Sequence, residues 1–310
     1  MRIAVVGAGG VGGYFGGRLA VAGADVRFLA RGAQMFAMRE HGLRIRSPLG
    51  DSTIEVQVQQ DAAALGPVDL VILAVKLWDT PAVVEQIAPL MNAETAVLSL
   101  QNGVDKDVVL RAAFGASRTV GALCYIGAAI EEPGVIKHTG SLAKIVVGEF
   151  GGVPSPRVEA FAELCRTAAI DVAVSDDIER AIWEKFVFLV GLSGATAVMH
   201  QPIGPIRANA RARAFVGALF AETVAVGRSY GVRLADDFAA DRLAFCDGLP
   251  AAFTSSMHGD LQRGNRLEVP WLQGAVARLG AARAVATPAN DFVSDVLALY
   301  VDGAPAATAP

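Results

Sequence analysis

The first 31 residues constrain the fold more than any other stretch of the chain. An apolar, β-branched run at residues 2–6 leads directly into Gly7-Ala8-Gly9-Gly10-Val11-Gly12, which fits the pattern G-x-G-x-x-G. In that pattern the first glycine permits a tight turn, the second lets a pyrophosphate approach the main chain, and the third lets the next helix lie close to the strand. We therefore predict a strand, a turn and a helix over about Val11–Ala22, with all six residues of the turn contacting a dinucleotide.

A second predicted strand, Asp25–Leu29, follows this helix, and the residues after it indicate which dinucleotide binds. An acidic side chain at this point holds the ribose 2′-hydroxyl of NAD, whereas this chain has Ala30 and Arg31. An arginine favours the 2′-phosphate of NADP. The alternative interpretation is a purely structural glycine turn with Arg31 as a solvated surface residue.

Composition excludes several classes of protein. The 310 residues are 53% hydrophobic and 19% charged, which predicts two domains with full hydrophobic cores. A net charge of −4 without a lysine–arginine cluster gives no footprint for nucleic acid. The three cysteines and four histidines are scattered, so we predict neither a disulfide framework nor a metal site. The expected partner is a small molecule.

Nothing in the sequence predicts a membrane segment. Glycines interrupt the apolar run near Met1, so we predict no secretory signal. The longest apolar run, Phe186–Met199, is too short and too rich in small residues to span a bilayer, so we interpret it as a buried core helix. We expect a cytoplasmic protein.

Two further apolar runs have the character of buried parallel strands, and polar residues follow both. Residues 68–75 end at Lys76, and residues 96–100 end at Gln101-Asn102-Gly103. Ligands of an open α/β sheet bind at the carboxyl ends of its strands, so we expect the glycine turn, Arg31, Lys76 and Asn102 at one edge. A solvated strand end at Lys76 and a simple Asn-Gly turn are the alternatives.

Other segments predict the rest of the α/β region. Residues 43–46 and 53–58 flank a Pro- and Gly-containing turn and predict a hairpin. Asp79 can cap a helix running to about Leu90. Further strands are predicted at 120–129, 135–138, 145–147 and 170–174, with a helix at 156–168.

Strand signals stop near Ser175, and a switch from alternating strands and helices to helices alone marks a domain boundary. We therefore predict an α/β chain with a Rossmann-type dinucleotide-binding domain at residues 1–175 and an all-α domain at residues 176–310, ending in a disordered tail at 302–310. The predicted helices of the second domain are 176–199, 209–230, 236–245, 255–263, 268–280 and 288–301.

Two residues of the helical half, Lys185 and Glu268, are candidates for chemistry. Lys185 begins an apolar helix in a chain with five lysines and 22 arginines, and in a cleft its ammonium would protonate a developing alkoxide. The alternative is a lysine that extends to solvent. Glu268 lies in an apolar run, where a carboxylate is usually paired or binds a ligand. Ser255 or Ser256 can cap the next helix.

Together these segments resemble the ketopantoate reductases, or 2-dehydropantoate 2-reductases, over nearly the whole chain. The resemblance rests on the glycine turn with Arg31, Ala74-Val75-Lys76, Leu100-Gln101-Asn102-Gly103, Trp183-Glu184-Lys185, Ser255-Ser256-Met257 with Asp260 and Glu268, and Thr287-Pro288-Ala289-Asn290. It implies that NADPH reduces the C2 carbonyl of a 2-oxo acid in pantothenate synthesis. It further implies a general acid at Lys185, contacts of Lys76 and Asn102 with nicotinamide and substrate, and substrate binding by Ser256 and Glu268.

Three positions depart from the family pattern. Asparagines are common in the family where this chain has Leu189, Ser193 and Phe253. Lost amide contacts would be costly for a substrate that needs them. A sister reductase acting on a more apolar 2-oxo acid is therefore the second interpretation, and a non-catalytic NADP-binding sensor is the third. The apolar helices 209–230 and 288–301 fit a homodimer surface or core packing equally well.

Overall fold

The computed structural model describes residues 1–305, which form two compact units. The first comprises Met1–Asn102 and Lys106–Ala181, and the second comprises Gly103–Asp105 and the chain from Ile182 onward. The ten strands within the described residues are β1 (Arg2–Val6), β2 (Asp25–Leu29), β3 (Leu43–Arg46), β4 (Ser52–Ile54), β5 (Gln57–Gln59), β6 (Leu70–Leu73), β7 (Ala96–Ser99), β8 (Thr119–Glu132), β9 (Val135–Gly148) and β10 (Asp171–Val174). The helices between these strands are α1 (Gly10–Val21), α2 (Gly32–His41), α3 (Thr80–Gln86), α4 (Asp105–Phe114) and α5 (Pro156–Thr167), with short 3₁₀ turns at Ala62–Ala64, Leu77–Asp79 and Ala88–Leu90.

All these strands belong to one sheet with the order β4-β3-β9-β8-β7-β6-β1-β2-β5, and β10 pairs with β9. The segment from β7 to β5 is parallel throughout, as expected for successive βαβ units. Apart from Arg2, every residue of β1, β6 and β7 is buried, because hydrophobic core covers both faces of this part of the sheet. The long β8–β9 hairpin continues the sheet in antiparallel fashion.

The sheet curls around α1, and this explains why glycines continue beyond the dinucleotide motif. On one side of α1, a Cβ added to Gly16 would lie 2.8 Å from side-chain atoms of Val5 and Phe28, on β1 and β2. On other sides, a Cβ on Gly13 would lie 2.7 Å from Ile136 of β9, and one on Gly17 would lie 2.7 Å from Ile45 of β3. Glycine is therefore needed along α1 for close packing as well as for binding.

Three predicted strands differ from those observed. Residues 53–58 form two strands at opposite ends of the sheet: β4 pairs antiparallel with β3, and β5 pairs parallel with β2. The chain leaves one edge and joins the other between Ile54 and Gln57, which a continuous β-type pattern cannot indicate. Conversely, the predicted strands at 135–138 and 145–147 are parts of β9, because this strand continues through an irregularity at residues 140–142. Thr139 pairs with Gly127 and Ala143 pairs with Ile126 of β8.

The domain boundary differs from the predicted Ser175/Asp176. The compact units divide at Ala181/Ile182, since Ile178 at the start of the next helix packs against Gly121 and Gly148 of the first unit. The segment Gly103–Asp105 also belongs to the second unit. There, Val104 packs on the helical core and Asp105 accepts a hydrogen bond from Arg278.

The second unit is helical. Its helices are α6 (Ile178–Met199, whose first residues belong to the first unit), α7 (Ile203–Ala208), α8 (Ala210–Ser229), α9 (Phe238–Gly248), α10 (Ser256–Gln262), α11 (Gln273–Ala282) and α12 (Pro288–Leu297), with 3₁₀ turns at Val269–Trp271 and Ala298–Tyr300. The short α7 was not predicted, and the predicted helix at 268–280 divides into a 3₁₀ turn and α11. α6 is long and apolar enough to span a membrane by composition, but Phe186, Val187 and Val190 are buried in the core.

The first residues of the predicted tail make contacts with the second unit. Asp302 forms an ion pair with Arg266 at 3.4 Å, and the amide of Ala304 donates to the carbonyl of Gly264 at 3.0 Å. These contacts hold the chain against the α10–Val269 loop. Residues 306–310 of the predicted tail lie outside the described residues.

Candidate active site

In the first unit, the predicted cofactor-binding residues follow four strands that lie side by side. The order β7-β6-β1-β2 is parallel throughout, so the carboxyl ends of these strands share one edge. Asn102, Lys76, the glycine turn and Arg31 follow them in that spatial order. Topology thus brings these residues to the edge at which open α/β sheets bind ligands.

The glycine turn has the form that a pyrophosphate requires. Gly7 has φ +97°, and its amide donates to the carbonyl of Leu29 at 3.0 Å. A Cβ added to Gly9 would meet no atom within 4 Å, so the main chain there is open. A Cβ on Gly12 would lie 2.1 Å from the carbonyl oxygen of Gly7, so α1 must approach the turn closely. No side chain caps α1, which leaves its N–H dipoles available to an anion.

Substitutions at adjacent glycines should separate binding from folding. We expect Gly10→Ala to destabilise the protein by about 1–3 kcal/mol, because its Cβ would lie 2.2 Å from the carbonyl oxygen of Ala128 on β8. Gly9→Ala serves as the matched variant, with stability within about 0.5 kcal/mol of the unaltered protein but weaker dinucleotide binding. Urea unfolding and fluorescence titration with NADPH measure the two effects. Unchanged NADPH binding by Gly9→Ala would contradict a phosphate site at this turn.

Gln34 is a positioning residue that sequence reasoning missed. Its Nε2 donates to the carbonyl of Ala8 at 2.8 Å, and its Oε1 accepts from the amide of Gly134 at 2.9 Å. The side chain therefore connects the glycine turn to the β8–β9 turn. No local pattern indicates this role, because one partner lies 26 residues away and the other 100.

Gln101 is a second missed positioning residue. Its Nε2 donates to the carbonyl of Val75 at 3.0 Å and to Oγ1 of Thr80 at 2.7 Å, and its Oε1 accepts from Ser99 at 2.9 Å. This buried amide fixes the loop after β6 against the end of β7. It thereby holds the segment that carries Lys76 beside the one that carries Asn102.

Lys76 and Arg31 are both exposed, and each has an aromatic or acidic neighbour. The ammonium of Lys76 lies 5.5 Å from the ring centre of Trp78. The Arg31 guanidinium Nη2 lies 3.1 Å from Oδ1 of Asp79. The prediction that Asp79 caps α3 was wrong, because its side chain accepts no hydrogen bond from that helix and pairs with Arg31 instead.

In the second unit, Lys185 lies half-buried in the early part of α6. The rings of Trp183 and Phe186 on either side meet edge to face at 5.5 Å, and both are buried in the helical core. Trp183 also packs against Gly227 of α8, where a Cβ would lie 2.8 Å from the indole. These contacts fix the part of α6 that carries the lysine.

The two serines have different places at the start of α10. Ser255 is the capping residue, and its Oγ accepts from the amide of His258 at 3.1 Å and contacts Thr196 Oγ1 at 2.9 Å. Ser256 is exposed. Burial, together with the charge of His200, lowers the pKa of His258, so this imidazole is neutral at pH 7. The α10 start therefore presents the Ser256 hydroxyl without an added charge from His258.

Glu268 is 9% exposed between Leu267 and Val269, which are both buried in the helical core. The amide of Leu267 donates to the carbonyl of Val301 at 2.9 Å, and the Glu268 carbonyl accepts from Trp271 at 3.0 Å. The backbone on both sides of this carboxylate is thus fixed. A buried acid on a rigid turn is well suited to accept a hydrogen bond from a ligand.

The three positions that depart from the family pattern have different surroundings. Leu189 is partly buried against the helical core, and Phe253 is 39% exposed. Ser193 is fully buried, and its Oγ accepts from Nε2 of Gln273 at 3.1 Å. Gln273, which sequence reasoning did not single out, therefore holds Ser193 within the core.

Two family models match the chain. They are described as Ketopantoate reductase PanE/ApbA, over residues 3–152, and Ketopantoate reductase PanE/ApbA C terminal, over residues 177–301. The uncharacterized oxidoreductase YkpB of Bacillus subtilis is 31% identical over 97% of this chain and 99% of its own length. A 2-dehydropantoate 2-reductase of Mesorhizobium japonicum is 31% identical over 94% of this chain and 95% of its own.

Solved structures agree with these matches. The crystal structure of 2-dehydropantoate 2-reductase from Geobacter metallireducens superposes with a TM-score of 0.89 at 32% identity, covering 96% of this chain and 99% of the other. These findings confirm the predicted fold class and the resemblance stated above. The chain is an oxidoreductase that belongs to the ketopantoate reductase family.

Proposed function

We propose that the protein is an NADPH-dependent 2-dehydropantoate 2-reductase, which reduces ketopantoate to pantoate in pantothenate biosynthesis. The observation that carries the proposal is the open, uncapped glycine turn at the sheet edge that also presents Arg31, Lys76 and Asn102. The names of the relatives from Mesorhizobium japonicum and Geobacter metallireducens support the choice of substrate.

The first unit would hold the cofactor. Residues 7–12 would bind the pyrophosphate through backbone N–H groups and the α1 dipole. The Arg31 guanidinium would bind the 2′-phosphate, since a planar fork of donors suits phosphate oxygens. Lys76 and Asn102 would contact nicotinamide and substrate. When bound, NADPH supplies the hydride for the C2 carbonyl carbon.

Residues of the second unit would hold the substrate and supply the proton. Lys185 would carry a proton on Nζ and deliver it to the carbonyl oxygen, so that the carbonyl becomes a hydroxyl. Ser256 would donate a hydrogen bond to the substrate. Glu268 would accept one from a substrate hydroxyl through a carboxyl oxygen.

A second candidate is a sister reductase of a more apolar 2-oxo acid. It is favoured by Leu189 and Phe253, which offer no hydrogen bond, and by Ser193, whose hydroxyl is occupied within the core. A site that lacks amide donors would discriminate poorly in favour of a polar substrate.

Steady-state kinetics with purified protein distinguish the two candidates. We expect kcat/KM with NADPH to be at least about tenfold higher for ketopantoate than for 2-oxo acids of similar size that lack its hydroxyl, since a paired hydroxyl contributes about 1–3 kcal/mol. Equal or better turnover of the apolar 2-oxo acids would favour the sister reductase. Binding of NADPH without reduction of any 2-oxo acid in the panel would refute both.

A further inference from the structure

The ion pair between Arg31 and Asp79 occupies a defined place at the sheet edge. Arg31 follows β2 and Asp79 follows β6, and these two strands flank β1, which leads into the glycine turn. The 3.1 Å contact between Arg31 Nη2 and Asp79 Oδ1 therefore connects the segment after β2 with the segment after β6. The glycine turn, which follows β1, begins between these two segments. A carboxylate thus lies beside the group proposed to bind the 2′-phosphate.

In the ion pair of Arg31 with Asp79, the aspartate is held more firmly than the arginine. The Asp79 side chain is 26% exposed and that of Arg31 is 77% exposed. Asp79 ends a 3₁₀ turn, with its amide donating to the carbonyl of Lys76 at 3.0 Å. The next residue, Thr80, is buried and accepts a hydrogen bond from Gln101. The carboxylate cannot move far from the sheet edge without displacing these contacts.

Charge then distinguishes the two cofactors. A phosphomonoester carries about −1.5 to −2 charges at pH 7, whereas the ribose 2′-hydroxyl of NADH is neutral. The phosphate must draw Arg31 away from Asp79 and also approach a like charge. The neutral 2′-hydroxyl of NADH neither displaces Arg31 from Asp79 nor brings two like charges together. A carboxylate near the ribose is the usual feature of an NAD site. Lys76 adds positive charge to the same loop, so it offsets part of the repulsion between Asp79 and the 2′-phosphate.

We propose that Asp79 is a specificity-determining residue that weakens NADPH binding relative to NADH. The inference rests on the proposed function at one point, the contact of Arg31 with the 2′-phosphate. It goes further in assigning a role to the carboxylate that faces this arginine.

Asp79→Asn tests the inference, because asparagine keeps the size of the side chain and removes its charge. We expect the Kd for NADPH, measured by fluorescence titration without substrate, to fall about tenfold. The Kd for NADH should stay within about twofold or rise. Asp79→Ser should act in the same direction and provides a second variant. Glu163→Gln is the matched control, since it removes one charge from an exposed ion pair with Arg166 on α5.

Unchanged or weaker NADPH binding by both Asp79 variants would overturn the inference. Equal tightening for NADPH and NADH, or equal tightening in the Glu163 control, would also overturn it, because the effect would then be a general one of net charge. If the unaltered protein bound neither cofactor, the proposed function would fail and the inference with it. NADPH binding that is insensitive to Asp79 would refute the inference alone.

Discussion

Lys185→Ala is expected to lower kcat about 10²–10⁴-fold while the Kd for NADPH stays within about twofold. This range is typical for loss of a positioned general acid, whose contribution arises mainly in the transition state. Lys185 lies in the second unit, and the glycine turn and Arg31 lie in the first, so the substitution leaves the proposed cofactor contacts intact. Single-turnover reduction of the 2-oxo acid, followed by NADPH absorbance, measures the chemical step.

Lys144→Ala provides the control for Lys185→Ala. Lys144 is a partly exposed lysine of β9 that pairs with Asp171 at 3.3 Å, and its loss should leave kcat within about twofold. A Lys185 variant that turns over normally would remove this residue from the chemistry. One that loses NADPH binding in proportion to turnover would indicate a role in folding or cofactor binding.

Arg31→Ala is expected to raise the Kd for NADPH about 10–100-fold and leave that for NADH within about twofold. Hydrogen bonds to charged groups contribute about 1.5–3 kcal/mol, and each 1.4 kcal/mol is tenfold in affinity. Arg31 is largely exposed, so its truncation should not perturb the core. Parallel titrations with the two reduced cofactors measure the difference.

The control for Arg31→Ala is Arg39→Ala, which removes an exposed arginine within α2. It should change neither Kd. Equal weakening of NADPH and NADH by Arg31→Ala would mean that the side chain does not distinguish the 2′-phosphate. Salt should weaken NADPH binding to the unaltered protein more than to the Arg31 variant, because an exposed charge contact is screened.

Local patterns predicted much of the architecture. β1, β2 and β3 have the predicted bounds, because a short run of β-type residues near a glycine is a local signal. The parallel pairing of the central strands, with the predicted site residues at one edge, followed from the βαβ pattern. The division of residues 53–58 between β4 and β5 could not be predicted in this way. Pairing with β3 or with β2 is decided by partners outside this segment.

The candidate site likewise contains residues that local spacing identifies and residues that it does not. The glycine turn is identifiable because its spacing is local, whereas Gln34, Gln101 and Asp79 act through side-chain contacts over 21 to 100 residues. Asp79 shows the difference most clearly. Its position before a helix indicated a cap, but an arginine 48 residues earlier competes for its carboxylate.

The curl of the sheet around α1 has a consequence for the order in which the chain matures. α1 is synthesised well before the β8–β9 hairpin against which Gly10 and Gly13 pack, since that hairpin ends at Gly148. A nascent chain shorter than this exposes one side of α1 to solvent, and closing such long-range contacts is slow. The cofactor turn thus acquires its final form only after the β8–β9 hairpin has left the ribosome, and until then one side of the glycine-rich helix is accessible to chaperones and proteases.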